Sequence, residues 1–234
     1  MRYYEYLSVA KVEMLYGQLG GPGPAVSHEV GLDVKVLRAT RRSETTGEPG
    51  LYDKLTAVED RIYASEPVGS VDEPAAWIYG RMPLSAVLLP PAGDGAADRA
   101  VLFAGASETG AFLVMGGAAR HLTSQAGAPP IQGGGLSPSG RLGLQQALKA
   151  YAAEIGAAVP EHDQLGRPAF PVHPELVPGR LHSPAHEIAS RGTPLGACEF
   201  LAKRLASGPA TSSHPHWPTP TGTLATPLFI ALTD

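Results

Sequence analysis

The stretch PLGACEFLAKRLA, residues 194–206, decides how the rest of the chain is read. Cys198, Leu201, Ala202 and Leu205 recur at steps of three and four, the spacing of one apolar helix face. Glu199 and Lys203 then fall at i,i+4 on the polar side, a helix-surface pair contributing about 0.2–0.5 kcal/mol. This spacing predicts a helix over 195–206 with a structural, not catalytic, charged pair.

Working outward, the segment TLATPLFIALTD (223–234) is an apolar run that reads as a strand over 223–232 built into a sheet. RAVLFAGASETGAFLVMGGAARHL (99–122) holds two apolar runs around a polar, Gly-bounded turn, the pattern of a β-hairpin with strands at 100–105 and 111–116. WIYGRMPLSAVLLPP (77–91) reads as extended chain. At the start, RYYEYL (2–7) alternates and is aromatic-rich, which predicts a strand. Ser8 caps the helix that follows, where Val12, Leu15 and Leu19 line one face over 10–19, and GGPGP (20–24) ends it. GLDVKVLRAT (31–40) alternates again and gives a strand at 32–39. Leu51, Leu55, Val58 and Ile62 give a helix at 51–64, and Leu144, Leu148, Tyr151 and Ile155 another at 141–155.

Strands and helices mixed in this way predict a single α+β domain over 1–234: a mixed or antiparallel sheet with helices packed mainly on one face. Gly, Pro and Ser concentrate near 123–138 and 208–221, which read as long loops.

Composition narrows the function. Of 234 residues, 43% are apolar, enough for a core, and the net charge is −4. That charge leaves no footprint for nucleic acid or for an anionic membrane. No segment approaches the roughly 20 apolar residues of a membrane helix, and charged residues interrupt the N-terminal stretch, so a cytoplasmic protein is expected. One cysteine, Cys198, excludes an internal disulfide and an all-cysteine zinc site. Abundant Ala, Gly and Pro, with Arg far above Lys, carry the imprint of a GC-rich genome.

Ser8 and Lys11 stand three apart across a strand-to-helix junction. That spacing can pair a nucleophile with a base, cap a helix, or gather an anion at free backbone N–H groups. A lysine in a first helical turn opposes the helix dipole, so Lys11 is expected to have an anionic partner: Glu108, the terminus at Asp234, or an external ligand. Arg120 and His121 supply an anion binder and a proton carrier at a strand exit where two glycines allow close backbone approach. Trp77, Tyr79 and Arg81 alternate, so they share one face, where they can line a ligand pocket or pack under a helix. His182 and His186 resemble a metal pair, but Pro184 would start any helix there and leave His182 outside it, so no metal site is assigned. Neither a dinucleotide fingerprint nor a P-loop is present, and no cofactor is expected.

The opening RYYEYLSVAKVEML, the segment GSVDEPAAWIYGRM, the hairpin end VMGGAARHL, CEFLAKRL and ATPLFIALTD together resemble an actinobacterial family of uncharacterised proteins. The resemblance implies a lineage and a single-domain unit and supplies no mechanism. From the residues alone, the expected function is a cofactor-independent enzyme acting on a small organic molecule, such as a secondary-metabolite cyclase, lyase or hydrolase. Its expected catalytic residues are His121, Glu108 and Lys11, with Ser8, Arg120, Trp77, Tyr79 and Arg81 binding the ligand. The alternative is a non-enzymatic ligand-binding or interaction module in a regulatory or defence system. The sequence leaves a homo-oligomer open.

Overall fold

The computed structural model describes residues 2–19, 49–89, 99–123, 144, 147, 151, 188–209 and 221–233. Among the described residues the elements with defined bounds run in the order β1 (Tyr3–Leu7), α1 (Val9–Leu19), α2 (Leu51–Ser65), β2 (Val68–Gly69), β3 (Trp77–Leu88), β4 (Ala100–Ala106), β5 (Phe112–Ala118), a 3₁₀ turn (Ala119–His121), β6 (Thr193–Pro209) and β7 (Thr221–Leu232). The expected strand at 32–39 lies outside the described residues. Of the expected helix at 141–155, Leu144, Ala147 and Tyr151 are described, and all three are helical.

The architecture departs from the α+β expectation. β3 pairs with β4 and β6, β6 with β7, β7 with β5, and β5 with β4, so five strands close into a barrel. The deciding segment is β6, a strand and not a helix. Its two neighbours explain why. β6 hydrogen-bonds β3 along one edge, Trp77↔Lys203 to Ala86↔Thr193, and β7 along the other, Cys198↔Leu232 to Pro209↔Thr221. Where the two ladders overlap, over Cys198–Lys203, neighbouring strands take up the backbone groups that a helix would have bonded within itself. Gly196 takes φ +78°, a left-handed conformation incompatible with the first turn of a helix over 195–206. Without helical geometry, Glu199 and Lys203 form no i,i+4 pair.

The same residues that suggest a helix also alternate. Cys198, Phe200 and Ala202 point into the barrel, while Leu201 points out beneath the helices. The interior is filled by Tyr6, Ile78, Phe103, Leu113, Met115 and Phe200, all fully buried. Cys198 is buried there too, and burial pushes its thiol up to about 11, which makes it a packing residue.

Two bulges bend the closing pair. The β6–β7 register slips between Leu201 and Ala202 and again between Arg204 and Ala206. Bulges of this kind let strands turn around a barrel wall. A close approach helps as well: a Cβ built on Gly80 of β3 would lie 2.6 Å from Phe200 Cζ. Gly80→Ala is therefore expected to cost about 1–3 kcal/mol, read as a lower midpoint in urea denaturation at an unchanged slope.

The helices cover the barrel's outer wall in separate patches. α1 and α2 lie over Trp77, Leu201, Leu228, Phe229 and Ala231 through Val12, Leu55, Val58 and Ile62. Leu144, Tyr151 and Ile188 cover a second patch made by β4, β5 and β7. A closed barrel has an outside all the way round, so the expected picture of one helix-covered sheet face does not apply.

Candidate functional site

The site is set by an irregularity in β7. Over Gly222–Ala225 this strand has β5 as its neighbour, in parallel register; over Phe229–Leu232 the same edge takes β1, antiparallel. Between the two stand Thr226, Pro227 and Leu228, and proline can donate nothing to a ladder. Their oxygens are taken up by the start of α1. Ser8 N donates to Leu228 O (2.9 Å), and Lys11 Nζ donates to Thr226 Oγ1 (2.5 Å) and Pro227 O (2.8 Å). Thr226 Oγ1 donates in turn to Gly116 O of β5 (3.0 Å), which ties the two edges of the gap together.

Ser8 occupies the N-cap position expected of it. It is buried, and its carbonyl accepts from Lys11 N and Val12 N, both at 3.0 Å. Lys11 does not have the anionic partner expected of it. Among the described residues no carboxylate lies within ion-pair distance of its amine, and both its partners are neutral oxygens. Burial in that setting pushes the amine down to about 7. The physical cause is desolvation of a charge that nothing opposite compensates.

The amine sits at the floor of a cleft of about 650 Å³ between α1, α2 and the barrel wall. The floor is a row of register partners on neighbouring strands, Trp77 of β3, Lys203 of β6 and Thr226 of β7. Lys203 Nζ lies 5.1 Å from the centre of the Trp77 ring and 3.7 Å from Glu66 Oε2. Leu15, Val58 and Ile62 give the walls an apolar part, and Gln18 of α1 and Arg61 and Ser65 of α2 give them a polar one.

A second polar cluster lies farther along the same outer wall. Arg2 binds Glu59 at 2.8 Å and Glu199 at 2.7 Å, and Tyr79 donates to Glu199 Oε1 at 3.2 Å. Burial pushes the Glu59 carboxyl up, against the pull of Arg2. The cluster fastens β1, α2, β3 and β6 to one another. Arg2→Met leaves two carboxylates together without their shared cation. Because Arg2 is 38% exposed, the expected cost is about 1 kcal/mol and not the larger value of a buried pair, and it should shrink in high salt.

The expected site residues are therefore only partly gathered. Lys11 and Trp77 share the cleft, with Ser8 one helical turn away. Tyr79 and Arg81 do follow Trp77 on the outward face of β3, but Tyr79 belongs to the Arg2 cluster and Arg81 is exposed. His121 packs its ring on Tyr6 at 5.8 Å, and Arg120 precedes it in the 3₁₀ turn; neither lines the cleft. Glu108 is exposed in the β4–β5 turn, at the opposite end of that hairpin and about 20 Å away along the strand. That turn is held by Ser107 and Thr109 hydroxyls on Asp72 and gives Lys11 no carboxylate.

Sequence reasoning missed Thr226, Pro227, Lys203, Arg61 and Glu66. Pro227 inside an apolar strand was the one available signal, since a proline there marks a break in pairing. Among the described residues there is no group of three or more His, Cys, Asp or Glu that could hold a metal; His182 and His186 lie outside them. Among the same residues no helix is long and apolar enough to cross a membrane. No curated protein and no solved structure matches this chain. One family model does match, over residues 2–234, and the chain accordingly belongs to the family of unknown function DUF7019.

Proposed function

We propose that the chain is a cofactor-independent enzyme acting on a small organic molecule held in the cleft between α1, α2 and the barrel wall. The observation that carries this reading is Lys11. Its amine is at the floor of the cleft, is held by two neutral oxygens, and titrates near 7 because of burial. Such a lysine exchanges a proton, or presents a free amine, near neutral pH, where an ordinary surface lysine near 10.5 stays charged. Trp77 and the apolar walls offer a face for the body of the molecule, and Arg61 offers an anion contact. The same reading takes the enzyme to be cytoplasmic and, from the motif resemblance and a GC-rich composition, actinobacterial.

The alternative of a ligand-binding or interaction module has one observation in its favour. Met14 of α1 and Tyr52 and Tyr63 of α2 are large and exposed. The two readings separate in a screen of small aromatic carboxylates by thermal shift. Binding that depends on Trp77, with no conversion of any compound and none lost in Lys11→Met, is the result expected of a binding module. Conversion that disappears in Lys11→Met while the variant stays folded is the result expected of an enzyme.

A further inference from the structure

We infer that the cleft takes an aldehyde or ketone bearing an anionic group, and that Lys11 joins it as an imine. This rests on the cleft being the ligand site, as proposed above, and adds the class of substrate and the bond formed.

The geometry around the amine points to that chemistry. A neutral lysine amine has two N–H groups and one lone pair, whereas an ammonium has three N–H groups to satisfy. Lys11 Nζ has two described acceptors, Thr226 Oγ1 and Pro227 O, and both belong to the barrel wall. Thr226 cannot turn away, because its own proton is used on Gly116 O. The two N–H groups are thus directed at the wall, which leaves the lone pair for the cleft side. A group held this way is set up as a nucleophile, and the neutral form is populated near pH 7 because of burial. Around it, Trp77 supplies a flat apolar face and Arg61 a cation with no carboxylate partner among the described residues. Lys203 adds a second cation, partly neutralised by Glu66. One aromatic face, one unneutralised guanidinium and one amine describe a compact organic acid that also carries a carbonyl.

The step balances without any further reactant. The Lys11 lone pair forms a C–N bond to the carbonyl carbon, and the C=O π pair moves to oxygen. A proton passes from nitrogen to that oxygen, giving a carbinolamine. Loss of the C–O bond releases water and leaves the imine: one aldehyde and one amine yield one imine and one water.

The test uses 4-carboxybenzaldehyde as the aldehyde probe and terephthalate as its counterpart without a carbonyl, on the whole chain. After borohydride treatment at pH 7, peptide mass mapping should find the reduced probe on Lys11. Labelling there should exceed that of Lys54 and Lys203 by about tenfold or more, since burial keeps much of the Lys11 amine neutral at that pH. Label should be absent in Lys11→Arg, which keeps a cation but cannot form the imine, and terephthalate should protect Lys11 in the wild type. Equal labelling of the lysines would overturn the inference. So would a thermal shift with terephthalate unaccompanied by trapping of the aldehyde, a result that would leave the cleft standing as a ligand site. No shift with either compound and no selective label would remove both.

Discussion

Phe200→Ala is expected to lower the stability of the protein by about 3–5 kcal/mol. Phe200 is fully buried at the centre of the barrel, on the strand that closes the ring between β3 and β7. Removing the ring leaves a cavity that neighbouring strands cannot collapse into, because each is held by two ladders. The measurement is equilibrium denaturation in urea, with a lower midpoint and an unchanged slope. Gly80 gives this prediction a second arm. A methyl at Gly80 meets Phe200 Cζ at 2.6 Å in the native protein but enters empty space once the ring is gone. The double variant Gly80→Ala, Phe200→Ala should therefore be more stable than the sum of the two single losses allows, by about 1 kcal/mol or more. Strict additivity would mean that the Phe200 ring does not lie over Gly80, its register partner on β3.

Lys11→Met is expected to stabilise the protein at neutral pH, and the gain should vanish in alkali. The sign follows from the two titrations. Lys11 has a folded value of about 7 against a model value of 10.5. Below pH 7 it is protonated in both states, and the folded state bears the full cost of a desolvated charge. Between about 7 and 10.5 the folded state releases the proton while the unfolded state keeps it, so wild-type stability rises with pH. Above 10.5 both states are neutral and no cost remains. The cost relieved is on the order of 2–4 kcal/mol, and Lys11→Met should show neither the cost nor the slope. Among the described residues, Arg61, Glu66 and Lys203 are the other charged groups that line the same cleft. Stability measured by urea denaturation at pH 6, 8 and 10 decides the matter. A variant less stable than wild type at pH 6 would mean that the hydrogen bonds to Thr226 and Pro227 outweigh the desolvation of the charge.

Much of the local structure was legible in the sequence. The strand at Tyr3–Leu7, the hairpin of β4 and β5, the strand at Thr221–Leu232 and the two helices α1 and α2 each follow from a periodicity or a breaker that acts within a few residues. The period of apolar residues along one element is set by whether its backbone bonds are made locally or to a neighbour. Where one period dominates, the chain declares its own conformation.

Cys198–Leu205 satisfies both periods, and there the tertiary structure decided. Cys198, Phe200 and Ala202 fill the interior of a ring that exists only once β3 and β7 flank the segment. No feature within the segment announces those partners, and the change from helix to strand turned an expected helix-covered sheet into a closed barrel. The cleft followed the same rule. Ser8 at its cap position was readable, because a cap bonds to its own helix. The partners of Lys11 were not, since they lie 215 and 216 residues away, in the gap where β7 exchanges one neighbour for another. The sequence by itself determined which residues could form elements and which side chains could carry chemistry. Only the closing of the barrel decided which of them meet, because ladder register and desolvation depend on partners distant in the chain.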